Sequence, residues 1–201
     1  MYSREKFNIL SQKYGQIASW AIWDYRDSKD TKIIENNFAQ LHSKYVLIAL
    51  NFSRNVGNWP NWSNFHDNSH ARKLKYACNE TFLRGSYMTD LFKNYVKARS
   101  TNIEKDISYN RIRQNVDFFR IEMEDIDIDN KTRFIVFGKD GSNTSRLFNK
   151  YFRQYFKNRT IFFYHYSYFT YTDKEWVEKF WEKLGITSNY DYMIGKYKNL
   201  S

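Results

Sequence analysis

Apolar residues follow two patterns along this chain. Short unbroken runs stop abruptly at a polar residue. Tyr45-Val46-Leu47-Ile48-Ala49-Leu50 ends at Asn51, and Thr160-Ile161-Phe162-Phe163-Tyr164 ends at His165. Arg133-Phe134-Ile135-Val136-Phe137 leads into Gly138-Lys139-Asp140-Gly141, and Ser86-Tyr87-Met88-Thr89 leads into Asp90. Such runs read as strands buried on both faces of a parallel sheet, and they place strands at 44–50, 85–89, 133–137 and 160–164. Elsewhere apolar residues recur every three or four positions, the helical period. A helix is predicted over 4–23 through Phe7, Leu10, Tyr14, Ile17, Ala18 and Ala21, and another over 31–42 through Ile33, Ile34, Phe38 and Leu41. Helices are also predicted over 70–83, over 110–126 through Ile112, Val116, Phe119 and Met123, over 143–156 and over 173–184. Alternating strands and helices predict an α/β fold whose parallel strands are joined by right-handed crossovers. With one proline, seven glycines and neither repeats nor linker-like segments, residues 1–201 are expected to form a single domain.

In such a sheet, ligands sit in the crevice beyond the carboxyl ends of the strands. Two apolar runs ending at Asn51 and His165 therefore propose one site containing both. Each residue also has an ordinary reading: Asn51 as a turn or cap residue, His165 as a satisfied histidine at a sheet edge. The segment 51–69, NFSRNVGNWPNWSNFHDNS, is long for a strand-to-helix connection, and long loops in compact domains are often functional. Trp59, Trp62 and Phe65 lie in it among polar residues. They read either as stacking surfaces for bases or as a small core under the loop, the latter more natural for Trp62.

Composition narrows the partner. Thirty-two basic against twenty-two acidic residues give a formal charge of +10, which favours an anionic partner such as nucleic acid. Arg54, Arg72, Lys73 and Lys75 are candidates for phosphate contacts. Hydrophobic residues make up 42% of the chain and aromatic ones 20%, enough for a real core. The one cysteine, Cys78, sits in an apolar stretch and reads as a small buried residue rather than a nucleophile. It leaves no internal disulfide framework. No apolar run approaches a membrane span, and Met1–Lys6 shows no signal-peptide core, so a cytoplasmic setting is expected, with no membrane partner. His66, Asp67 and His70 lack a third ligand at metal-binding spacing, so neither metal nor cofactor is expected. The loop Gly138–Asn143 can offer backbone amides to a phosphate, but its Gly and Lys spacing is not that of a Walker motif.

Taken together, these strand ends resemble those of the uracil-DNA glycosylase superfamily. Ala49-Leu50-Asn51-Phe52-Ser53 is similar to that family's first motif, in its Asn-type form, and His165-Tyr166-Ser167-Tyr168-Phe169 to its last, in which H-P-S-P is followed by an apolar wedge. Tyr87-Met88-Thr89-Asp90 stands where an apolar run ends in a base-reading Asn, and Val136-Phe137-Gly138 where the third strand meets a glycine. The likeness spans roughly residues 40–170. It implies a three-layer α/β/α fold around a four-stranded parallel sheet. It also implies a monomeric DNA glycosylase that flips a base and hydrolyses its N-glycosidic bond, leaving an abasic site.

By the same resemblance, Asn51 and His165 are the catalytic pair, with Phe52, Phe65 and Asp90 around the base. Ser53, Arg54, Lys139, Ser167, Tyr168 and Phe169 fall to the DNA. The chain departs from the family pattern at three points: no glycine opens the first motif, both prolines are missing, and Asp90 replaces Asn. An ionised carboxylate accepts hydrogen bonds and donates none. It repels uracil O4 but accepts from the cytosine N4 amine. The expected substrate is therefore cytosine or a derivative. A bulky 5-substituent of the kind on some phage genomes would make the enzyme safe for its host, with antiviral defence as its setting. Asp90 reads equally as a helix N-cap before Leu91-Phe92-Lys93-Asn94. No lysine stands where a Schiff-base nucleophile would, so no strand cleavage is expected. The rival reading is a nucleic-acid-binding or interaction protein that kept the fold and lost the chemistry.

Overall fold

The computed structural model describes residues 2–52, 59–66, 71–93, 95–96, 103–156 and 159–200. In chain order the elements are α1 (Arg4–Tyr14), β1 (Ser19–Trp20), α2 (Lys32–Asn36), β2 (His42–Asn51), α3 (Arg72–Cys78), β3 (Ser86–Phe92), α4 (Ile103–Asp106), α5 (Tyr109–Asp125), β4 (Arg133–Phe137), α6 (Asn143–Leu147), β5 (Thr160–Phe163), α7 (Asp173–Leu184) and α8 (Tyr190–Leu200). The fold is α/β with a mixed, mostly parallel sheet of five strands in the order β1-β3-β2-β4-β5. The expected sheet had four strands. The fifth, β1, comes from the stretch where the sequence predicts the second half of a helix. That helix stops at Tyr14. The six residues Ala18–Trp23 are all fully buried. A surface helix has only one dry face, so a run buried all round suits a covered strand.

The chain divides into two compact units. The first comprises Met1–His42, Trp59–Tyr87 and Tyr166–Ser201. Its core is aromatic: the Trp20 ring lies 4.7 Å from Tyr87, 5.8 Å from Trp62 and 5.4 Å from Tyr2, all edge-on. Trp62 is fully buried with a positive φ of 69°, so the mini-core reading holds for it. β1 runs on into a pairing with the start of β3, where the Ala21 amide donates to the Ser86 carbonyl at 2.8 Å. The helix α7 carries a Thr172/Glu175 capping box at its start and Gly185, with φ 67°, at its end. It packs on α3, and the Trp181 indole donates to the Ala77 carbonyl at 2.9 Å.

The second unit comprises Ser43–Asn58 and Met88–His165. β2 pairs in parallel with β4, and β4 with β5, giving the rung Ile48–Val136–Phe162. Val46–Ala49 are all buried, and so is every residue of β3, as expected of strands covered on both faces. α5 starts at a Ser108 cap and buries Ile112, Val116, Phe119 and Met123. Phe119, Phe152, Phe156 and Phe134 form a chain of ring contacts 4.6–5.6 Å apart. The helix predicted over 143–156 is α6 followed by a π turn at Phe148–Phe152 and a 3₁₀ turn at Arg153–Tyr155.

The short helix α4 is tied down by Glu104. Its carboxylate accepts from Lys150 and the Tyr151 hydroxyl at 2.6 Å each and from Arg146 at 2.5 Å. These donors hold the Glu104 carboxyl down to about 2, from an ordinary 4.5. A depressed carboxyl contributes stability above its unfolded value and loses it as pH falls through its folded one. Glu104→Gln should therefore lower the melting temperature at neutral pH and weaken the acid dependence between about 4.5 and about 2. Thermal melts of both proteins across that range measure it. Parallel curves would deny the anchor a role.

Candidate functional site

The second unit contains a topological switch. From β2 the chain goes to β3 on one side of it, then to β4 and β5 on the other. Ligands in open α/β sheets bind at such a reversal, outside the carboxyl ends of the strands. β2 and β4 flank it. Asn51 ends β2, Lys139 follows β4 by two residues and His165 follows β5 by two. Three of the residues singled out in the sequence thus come at or just after the carboxyl ends of three strands of the sheet.

Each is held differently. Asn51 is the last residue of β2, where burial falls from complete at Ile48 to partial at Leu50 and Asn51. Its amide nitrogen donates to the carbonyls of Phe52 at 2.7 Å and Tyr95 at 3.1 Å. Both amide hydrogens therefore meet main chain. The bond to Tyr95 also brings the chain after β3 to the same edge. Phe52 is buried, 7% exposed. Lys139 is exposed in the turn between β4 and α6, its ammonium 5.8 Å from the centre of the Tyr164 ring. Gly138 makes that turn possible, because a Cβ there would lie 2.5 Å from Thr144 Cβ and 2.6 Å from Ser142 Oγ. Its amide donates to the Phe163 carbonyl at 2.6 Å, carrying the β4–β5 ladder one residue past the strand. His165 follows β5 by two residues and is half-buried.

Asp90 does not cap a helix. β3 continues through Leu91 and Phe92, both fully buried, so Asp90 lies inside the strand at 2% exposure. Two buried apolar residues after it prolong the strand that the sequence pattern ended at Thr89. Asp90 and Thr89 project to opposite faces. On the Thr89 side lies a buried polar cluster that the sequence reading missed. Thr89 Oγ1 donates to Glu122 at 2.8 Å, the Lys93 ammonium sits 2.9 Å from the other Glu122 oxygen, and Lys93 also donates to Thr89 Oγ1 and the Asp90 carbonyl. Both charged side chains are almost wholly buried, at 3% and 0% exposure. The signal was present: Glu122 falls on the apolar face of α5, between Phe119 and Met123.

The remaining candidates divide between the first unit and the undescribed positions. Phe65, with φ 67°, is buried with its ring 6.3 Å from that of Tyr166. Ser167 is exposed, Tyr168 is half-buried, and Phe169 is 94% exposed. At that exposure Phe169 does not pack beneath the last helix. Ser53, Arg54, Asp67 and His70 lie outside the described residues. The phosphate role read for Lys73 and Lys75 is corrected by their contacts. Lys73 donates to the carbonyls of Tyr168 and Tyr171, and Lys75 to the Tyr25 carbonyl and Ser28. Arg72 pairs with Asp173 at 2.5 Å. Cys78 is fully buried and burial pushes its thiol up, away from the thiolate. The His66 nitrogens lie 3.2 and 3.3 Å from the Ser28 and Trp20 carbonyls. Among the described residues no group of three or more His, Cys, Asp or Glu is arranged to hold a metal ion, and no helix is long and apolar enough to cross a membrane. No family model, curated protein or solved structure matches the chain.

Proposed function

We propose that this protein is a monofunctional DNA glycosylase of the uracil-DNA glycosylase type that removes cytosine-type or modified bases. The observation that carries the reading is that β2 ends at Asn51 beside the reversal of strand order, with Lys139 and His165 in the segments that leave β4 and β5. The reading includes the three-layer arrangement of that superfamily, with β2, β3, β4 and β5 as its four strands and β1 as an addition.

The chemistry follows from what each group offers. Breaking a glycosidic bond to deoxyribose passes through an oxocarbenium-like sugar, while negative charge grows on the departing base. Asn51, through its carbonyl oxygen, accepts a hydrogen bond from a water and holds it towards C1′. His165 donates to the pyrimidine O2 as charge collects there, an oxyanion-type role for which a neutral, correctly oriented ring suffices. Asp90 accepts from the N4 amine. Lys139 meets a backbone phosphate, a contact that positions DNA without reading sequence. Water is the nucleophile throughout, so the products are a free base and an abasic site with the strand intact. Phage-type 5-substituted cytosine, and with it antiviral defence, is the substrate class that leaves host DNA untouched.

Asp90→Asn tests the base assignment. The change keeps the volume and turns one acceptor arm into a donor. It should weaken excision of cytosine-type bases and favour uracil-type ones, by roughly 1–3 kcal/mol per mismatched contact. Excision from matched oligonucleotides carrying uracil, cytosine or 5-substituted cytosine measures it in both proteins. An unchanged order of preference would remove Asp90 from the base pocket.

A further inference from the structure

The turn that carries Phe169 is held from beneath by a buried charge. Lys73, on α3, is 8% exposed, yet its ammonium reaches two main-chain oxygens of one short segment: the Tyr168 carbonyl at 2.9 Å and the Tyr171 carbonyl at 2.8 Å. Burying an ammonium is costly unless its hydrogens are met. Here burial pulls Lys73 below its ordinary value, with the Asp173 charge opposing. The neighbouring Arg72 grips Asp173, the first residue of α7, so consecutive residues of α3 hold the turn and its exit. Tyr168 lies 5.4 Å from the Tyr171 ring, closing the base of the turn. Between the two clamped carbonyls stand only Phe169 and Thr170, both exposed, with Phe169 at 94%.

We infer that Lys73 is a positioning residue that presets the Tyr168–Tyr171 turn so that Phe169 stacks into duplex DNA at an opened base step. This inference rests on the DNA reading above. An apolar side chain entering a base step must offset the stacking it disrupts. A loop already fixed in its bound shape loses less entropy on entry. Two charge-assisted hydrogen bonds to carbonyls three residues apart fix the backbone on both sides of the phenyl group. A duplex, with its stacked bases and anionic rim, suits an exposed ring on a chain of charge +10.

The test uses the full chain and a duplex carrying 2-aminopurine, whose fluorescence rises when its stack opens, and needs no bond cleavage. The wild-type protein should raise the signal on binding. Phe169→Ala should abolish most of the rise. Lys73→Met, with Phe169 intact, should cut the opening equilibrium on the order of tenfold, the size of a lost charge-assisted hydrogen bond. Lys73→Arg, which still donates to two carbonyls, should restore it, and overall DNA affinity should change far less. If Lys73→Met does not fold, Lys73→Gln, which keeps one donor group, is read the same way. A wild-type rise that survives in Lys73→Met or Lys73→Gln, or a signal indifferent to Phe169, overturns the inference, as does failure to bind DNA. Opening that depends on Lys73 without release of any base keeps this inference and ends the glycosylase reading. Base release with an unresponsive probe does the reverse.

Discussion

Replacing His165 by alanine should slow base release by on the order of 10²–10³, the usual consequence of losing one donor to a developing oxyanion. DNA affinity should fall much less. The asymmetry follows from when the interaction forms: charge gathers on pyrimidine O2 only as the glycosidic bond breaks, so the donor is worth most in the transition state. Asn51 ends β2 and His165 follows β5, two strands away in the sheet order, so the two groups are assigned separate parts of the substrate. Single-turnover rates and equilibrium binding to the same duplex separate the two effects. Equal losses in both would make His165 an anchor for substrate rather than a participant in bond breaking.

The second large effect concerns stability. Glu122→Ala leaves the Lys93 ammonium buried without its carboxylate. Removing one partner of a buried pair costs about 3–5 kcal/mol, a large share of the 5–15 kcal/mol typical of a folded domain. Replacing the whole cluster together, as Lys93→Met, Glu122→Leu and Thr89→Val, should recover most of the loss, since apolar residues of similar volume avoid the desolvation of both charges. The cluster also holds the end of β3, because Lys93 donates to the Asp90 carbonyl and its own amide donates to Asn115 at 2.9 Å. Equilibrium unfolding in urea compares the variants. A Glu122→Ala protein as stable as wild type would mean that the pair is solvated.

Where a single period dominated, the sequence was legible. β4 and α7 fall on the predicted residues, and α5 within one residue of them, because an unbroken apolar run or a clean three-to-four spacing admits one reading. Reading failed where tertiary burial overrode a local pattern. Ala18–Trp23 satisfied a helical spacing and yet lies buried on every side, and Leu91 and Phe92 carried β3 past the polar Thr89-Asp90 pair. The placing of Asn51 and His165 at strand ends was visible, as two runs ending in polar residues. The order of those strands came from pairings that no sequence spacing encodes. The roles of Lys73 and Lys75 were misread because a lysine's partners are set by the fold: basic composition suggests phosphate, while the carbonyls of residues distant in sequence take those ammonium groups.

The central claim is that this chain hydrolyses an N-glycosidic bond with water. The most direct measurement incubates the purified protein with duplexes containing cytosine, 5-substituted cytosine or uracil and follows both products by mass spectrometry. The account predicts a free cytosine-type base and an oligonucleotide shortened by that base alone, with its phosphodiester backbone intact until alkali is added. DNA recovered unchanged with every base, from a protein that binds it, would contradict the account and make the chain a nucleic-acid binder without this chemistry.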